Sequence, residues 1–167
     1  CCFNPQSKKF VQYNSSNGLQ GKQFSYEASC KHLNGKLFFG GLNGFNVFDP
    51  RRIALNTTPP QVVLTNFTTL NKPYGLELDP SYTEDITLSY KDYFFEFDFA
   101  ALDYTNPAKN TYAYKLEGFN ENWVNIGTEK SATFTNLDPG TYTMLIKAAN
   151  NDGFWGEPLT IKLTITP

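Results

Sequence analysis

The stretch TYAYKLEGFNENW, residues 111–123, sets two tyrosines two positions apart and closes on a tryptophan. In an extended chain, successive side chains point to opposite faces. Tyr112, Tyr114 and Leu116 therefore share one face, and Thr111, Ala113, Lys115 and Glu117 share the other. A platform for stacking on a sugar would show its rings on the wetted face, beside Lys115 and Glu117. The tyrosines are grouped with a leucine instead, so they read as an interior set. Trp123, beyond the GFNEN turn, is expected to close over the same core, its indole N–H meeting an acceptor at the rim.

The same period of two recurs on both sides of this stretch. Leu159, Ile161, Leu163 and Ile165 alternate with Thr160, Lys162 and Thr164; Tyr142, Met144, Ile146 and Ala148 align on one face, as do Tyr93, Phe95, Phe97 and Phe99. Repeated alternation with turn signals between is the pattern of sandwich strands. It predicts strands near residues 61–68, 85–90, 93–102, 111–117, 123–126, 131–136, 141–149 and 159–166. The fold expected for residues 59–167 is an all-β, immunoglobulin/fibronectin-III-like β-sandwich. In NLDPGTY, residues 136–142, Pro139-Gly140 turns the chain and Tyr142 opens the next strand. That is the arrangement of a tyrosine corner, whose hydroxyl bonds back to nearby backbone.

Pro59-Pro60 marks a boundary, because neither proline donates to a sheet and both punctuate elements. Before it, FSYEASC (24–30), KLFFG (36–40) and FNVFD (45–49) are separated by Asn34-Gly35 and Asn43-Gly44. Asn-Gly suits a type I′ turn, so a meander of hairpins is predicted. CFNPQ at 2–6 echoes VFDPR at 47–51 with an offset of 45, which is the period of a propeller blade. Residues 1–58 are thus expected to form a single β-propeller-blade-like meander, which cannot bury both of its faces alone.

Composition narrows the function classes. The 167 residues include 15 Phe and 10 Tyr but one Met, a bias toward strands. A net charge of −2 argues against a nucleic-acid partner, which calls for clustered Lys and Arg. No apolar run reaches the roughly 18–20 residues that span a bilayer, and no signal peptide is legible. The chain is expected to be soluble as it stands, while leaving room for it to be the excised part of a membrane protein. Cys1, Cys2 and Cys30 lack paired CxxC spacing. They read as free or buried thiols, with a bridge from Cys30 to Cys1 or Cys2 left open.

Catalytic constellations are thin. His32 is the one histidine and lies just before an Asn-Gly turn, where a solvated side chain is the plainer reading than a base. Cys30 lies two residues away, with nothing marking an oxyanion hole or an orienting third group. Glu96 and Asp98 share a strand face opposite the phenylalanines, the ordinary solvated side of an antiparallel strand rather than an acid–base pair. NNDG, residues 150–153, lacks the regular oxygen spacing of a calcium loop and reads as a turn. Gly40-Gly41 follows a strand without the motif of a phosphate cradle. No catalytic, metal or cofactor residue is assigned, and a non-enzymatic module is expected. Phe154 and Trp155 are the candidate ligand-binding residues, since an aromatic at a strand end can stack on a sugar; packing across the end of the sandwich is the other reading.

YAYKLEGFNENW followed by ATFTNLDPGTYTMLIKAANNDGFW (132–155) resembles the three-Y domain of two-component regulators. Tyr112, Tyr114, Gly118, Phe119, Trp123, Leu137, Pro139, Gly140, Tyr142, Ala148, Asn150 and Gly153 fall in that family's order. The upstream segment, residues 17–50 and chiefly LFFGGLNGFNVFDP, resembles the last blade of the regulator propeller that precedes the domain. The resemblance implies the extracytoplasmic, periplasmic sensor region of a bacterial inner-membrane protein. Further propeller blades would precede it, and a membrane helix would follow. The output implied is a histidine kinase, often a hybrid one, or in the runner-up a diguanylate cyclase. A glycan at the propeller and a homodimer are implied as ligand and partner. The alternative from another class is a carbohydrate-binding or adhesive accessory module of a secreted protein.

Overall fold

The computed structural model describes every residue except 1, 6, 7, 54, 71, 77 and 78. It divides into two units, Cys1–Leu55 and Asn56–Pro167. In the first, β1 (Cys2–Asn4) pairs antiparallel with β2 (Lys9–Val11). A separate meander follows, made of β3 (Phe24–Lys31), β4 (Leu37–Gly41) and β5 (Gly44–Phe48). Of the echo at residues 2–6, Gln6 lies outside the described residues.

The hairpin turns depart from type I′. Gly35 and Gly44 have φ of 87° and 116°, yet neither Asn34 nor Asn43 has a positive φ. In the first turn the Gly35 N–H reaches the His32 carbonyl at 2.9 Å, and the His32 N–H reaches the Lys36 carbonyl at 2.9 Å. That is a type I turn followed by a left-handed glycine, the longer of the common hairpin solutions. Asp49 then caps a short 3-10 turn, Pro50–Arg52. Its carboxylate accepts from the Arg51 guanidinium at 2.8 and 2.9 Å, and that guanidinium also donates to the Asn34 carbonyl at 2.9 Å. The end of the meander is thereby tied to its first turn. Aromatic rings line both faces of this sheet: Phe39 stacks on Phe48 at 5.6 Å and Phe38 on Phe45 at 6.4 Å.

The second unit is an immunoglobulin-like sandwich. One sheet has the order β11-β10-β13-β14-β8, from Val124–Gly127, Thr111–Glu117, Gly140–Ala149, Leu159–Thr166 and Asp85–Ser89. The other has the order β12-β9-β6-β7, from Ser131–Thr135, Phe94–Ala101, Val62–Thr69 and Lys72–Pro73. Among the described residues of this unit, all strand pairings are antiparallel except β8 with β14. Between the sheets lie Leu64, Phe67, Phe95, Phe97, Phe99, Leu116, Met144, Ile146, Ile161 and Leu163, none more than 1% exposed. Burying such side chains is the main favourable contribution to folding, at about 1.5–3 kcal/mol each before entropy is counted. Tyr74 closes one side, its hydroxyl donating to the Thr87 carbonyl of the facing sheet at 2.6 Å.

Tyr93 is a correction to the expected core face. It precedes β9 rather than lying in it, and it is 56% exposed while Phe95, Phe97 and Phe99 are buried. Its carbonyl accepts from the Asn136 N–H at 2.7 Å, so its backbone closes the edge and its ring is left outside.

Candidate functional site

β10 resolves the two faces of the opening stretch. Tyr112 is 2% exposed, its ring against Phe99 at 5.5 Å and its hydroxyl accepting from the Ala101 N–H at 3.2 Å. Tyr114 is half-buried and meets Phe134 edge-on at 5.5 Å. Tyr142 completes its corner by donating to the Asp138 carbonyl at 2.9 Å. The tyrosines are interior or packed against it.

Trp123 is placed elsewhere, contrary to expectation. Its ring lies 4.0 Å from the Lys147 ammonium, and Lys147 alternates with the buried Ile146 and Ala148, so it stands on the outer face. Trp155 approaches the same ammonium at 5.1 Å and is 42% exposed. The outer face is therefore not simply wetted. Ala113, in register with Lys147 and Asn125, is only 1% exposed. A cation held between two indole faces joins the β10–β11 hairpin to the loop after β13. Lys115, on this same face, is half-buried and pairs with Glu117 at 3.6 Å.

That loop, residues 150–158, has a second, inward side that grips the chain entering the sandwich. Asn150 is 2% exposed, and its amide donates to the carbonyls of Asn56 at 2.6 Å and Thr58 at 2.8 Å. Its side-chain oxygen accepts from the N–H groups of Asp152 at 3.0 Å and Phe154 at 3.1 Å. All four hydrogen-bonding capacities of the amide are used, and a flipped amide would set oxygen against two carbonyls. Asp152 Oδ2 accepts from the Asn56 N–H at 2.7 Å, while the Asn56 amide reaches Asp103 Oδ1 at 3.2 Å and Thr105 Oγ1 at 3.3 Å. Gly156 lies so close to Pro60 that a Cβ there would collide with the proline carbonyl.

The other candidate residues are not brought together. The NNDG turn is closed around the Asn150 oxygen, whose lone pairs are already engaged. Phe154 is half-buried and Trp155 faces outward, so the two do not form one aromatic surface. Cys30 is free and exposed; Cys1 lies outside the described residues. The His32 imidazole accepts from the Asn34 N–H at 3.2 Å beside the hairpin. Glu96 accepts from Thr133 at 3.3 Å and Asp98 from Asn66 at 3.1 Å, each engaging its cross-strand neighbour. A Cβ at Gly40 would meet Ala28 and one at Gly41 would meet Gln20, so the two glycines give room to neighbouring residues. Among the described residues, no three His, Cys, Asp or Glu side chains are grouped to hold a metal.

The geometry defines an immunoglobulin-like module with a clamped point of entry. The family model described as the Y_Y_Y domain matches residues 103–166, a span that takes in β10 through β14. Histidine kinase P4 of Formosa agariphila is 33% identical over 99% of this chain, which spans 13% of that protein's length. The extracellular domain of BT3049 from B. thetaiotaomicron, assigned as a hybrid two component system, superposes with a TM-score of 0.82 at 29% identity. That match covers 99% of this chain and 23% of the other. The extracellular domain of BT4673 from the same organism, assigned as a one component system, gives a TM-score of 0.58 at 25% identity, covering 80% of this chain and 19% of its own. Among the relatives of this chain are thus a histidine kinase and two extracellular domains, one of a protein assigned as a hybrid two component system and one of a protein assigned as a one component system.

Proposed function

We propose that this chain is a non-enzymatic sensor and relay segment from the periplasmic part of a bacterial sensor histidine kinase of hybrid type. The observation that carries the reading is the match to the BT3049 extracellular domain across nearly the whole chain, both units included. The first unit is read as the last blade of a propeller. Its exposed Phe24, Phe45 and Val47, at 41%, 68% and 41%, suit faces that neighbouring blades cover. A glycan bound at that propeller would change its packing, and the sandwich would pass the change through β14 to a membrane helix. Such a relay operates only if the ligand favours one arrangement over another.

Sequencing the gene beyond Pro167 tests this directly. A membrane helix followed by kinase modules supports it, a helix followed by a diguanylate cyclase transfers the role to that output, and a secreted enzyme domain sinks it. The accessory-module reading has one observation in its favour, the exposed Trp155 ring beside Lys147.

A further inference from the structure

The bonds of Asn150 are divided between two segments that are far apart in the chain. Its two donated bonds run to the backbone of the entering segment, 94 and 92 residues away, and its two accepted bonds fold its own turn. Asp152 adds a third bond to the entering segment, and Gly156 abuts Pro60. The loop carrying all three residues runs without interruption into β14. A displacement of residues 56–60 therefore has a hydrogen-bonded route to the start of the last strand.

We propose that Asn150 is a coupling residue, a clamp that makes the loop before β14 follow the chain arriving from the first unit. This rests on the sensor and relay reading above. The clamped and released arrangements differ by the donated bonds, which is what a relay between two sites requires. The amide is confined to hydrogen-bond donors on one side and acceptors on the other, so the two functions can be separated by one substitution. Asn150→Asp keeps the oxygens that accept from Asp152 and Phe154 and sets a carboxylate against the carbonyls of Asn56 and Thr58.

Two measurements test the proposal. In hydrogen exchange on this chain, Asn150→Asp is expected to speed the Asn56 amide by about tenfold or more while the Asp152 and Phe154 amides stay protected. An Asn56 amide as slow as in the wild type overturns the clamp. In membrane vesicles holding the full-length protein, autophosphorylation with ATP is expected to shift by about fivefold or more in Asn150→Asp. Gly156→Ala, which pushes on Pro60 from outside, should shift it the same way. Phe134→Leu, a core change in β12 away from the clamp, should leave it unchanged. Unchanged output in both clamp variants overturns the coupling, as does an equal shift in Phe134→Leu. Absence of phosphotransfer in the wild type removes the kinase reading and the coupling with it, while the exchange result still decides whether the clamp holds the chain.

Discussion

At the scale of single residues, Tyr112 and Tyr142 carry different burdens. Tyr112 is enclosed, so Tyr112→Ala should lower unfolding free energy by about 3–5 kcal/mol, the range for large aromatic deletions in a core. Tyr112→Phe removes the acceptor of the Ala101 N–H and leaves that group unpaired in a partly buried place, a cost of about 1–3 kcal/mol. Tyr142→Phe removes a bond near the surface and should cost about 1 kcal/mol. Urea titrations followed by circular dichroism rank the three; a Tyr112→Ala protein as stable as wild type would contradict the enclosed core. Trp123 was the residue least legible beforehand. Alternation counts faces within one strand, and five turn residues separate Trp123 from Leu116's neighbours, so the phase is lost before the indole is reached. Tyr93 fails for a related reason: it keeps the period of β9 but lies one residue outside the strand.

At the scale of elements, the strands of the sandwich were readable because burial repeats every second residue. Leu159 to Ile165 and Tyr142 to Ala148 needed no partner to be recognised. The clamp was not readable, since hydrogen bonds from Asn150 to Asn56 and Thr58 join backbone carbonyls that any residue type would supply. The NNDG stretch announced a turn and nothing of what the turn holds. The hairpin after β3 shows the limit of dipeptide signals, because Asn-Gly fits two turn types that differ in where the left-handed residue falls.

The Asp49–Arg51 contact gives this scale a pH test. The side-chain bond from Arg51, helped by the Arg51 backbone N–H, holds the Asp49 carboxyl at about 2, below its ordinary 3.8. A depressed folded value means that the contact is favoured above the unfolded value and lost as pH falls through the folded one. A carboxyl-resolved NMR titration should place the Asp49 midpoint near 2, and Arg51→Gln should return it toward 3.8. A midpoint near 3.8 in the wild type would mean that the Asp49–Arg51 contact does not form in solution.

At the scale of the molecule, the outer sheet face bears on the choice between relay and sugar binder. The Lys147 ammonium lies over both indoles, so a pyranose stacking on that side would have to displace it. Calorimetry of this chain against neutral and acidic oligosaccharides should give nothing tighter than about millimolar, near −4 kcal/mol. Micromolar binding abolished by Trp155→Ala would move the chain to the accessory-module class.

The one parallel pairing among the described residues, β8 beside β14, has a mechanical consequence. β14 is flanked along its length, matched to β13 from Leu159 to Ile165 and to β8 from Lys162 to Thr166. A tug on the backbone beyond Thr166 loads both ladders sideways, so many bonds share the strain and must slip together instead of peeling open one at a time. The strand would behave as a stiff tie rod, delivering a pull from one end of the sandwich to the other with little stretch in between.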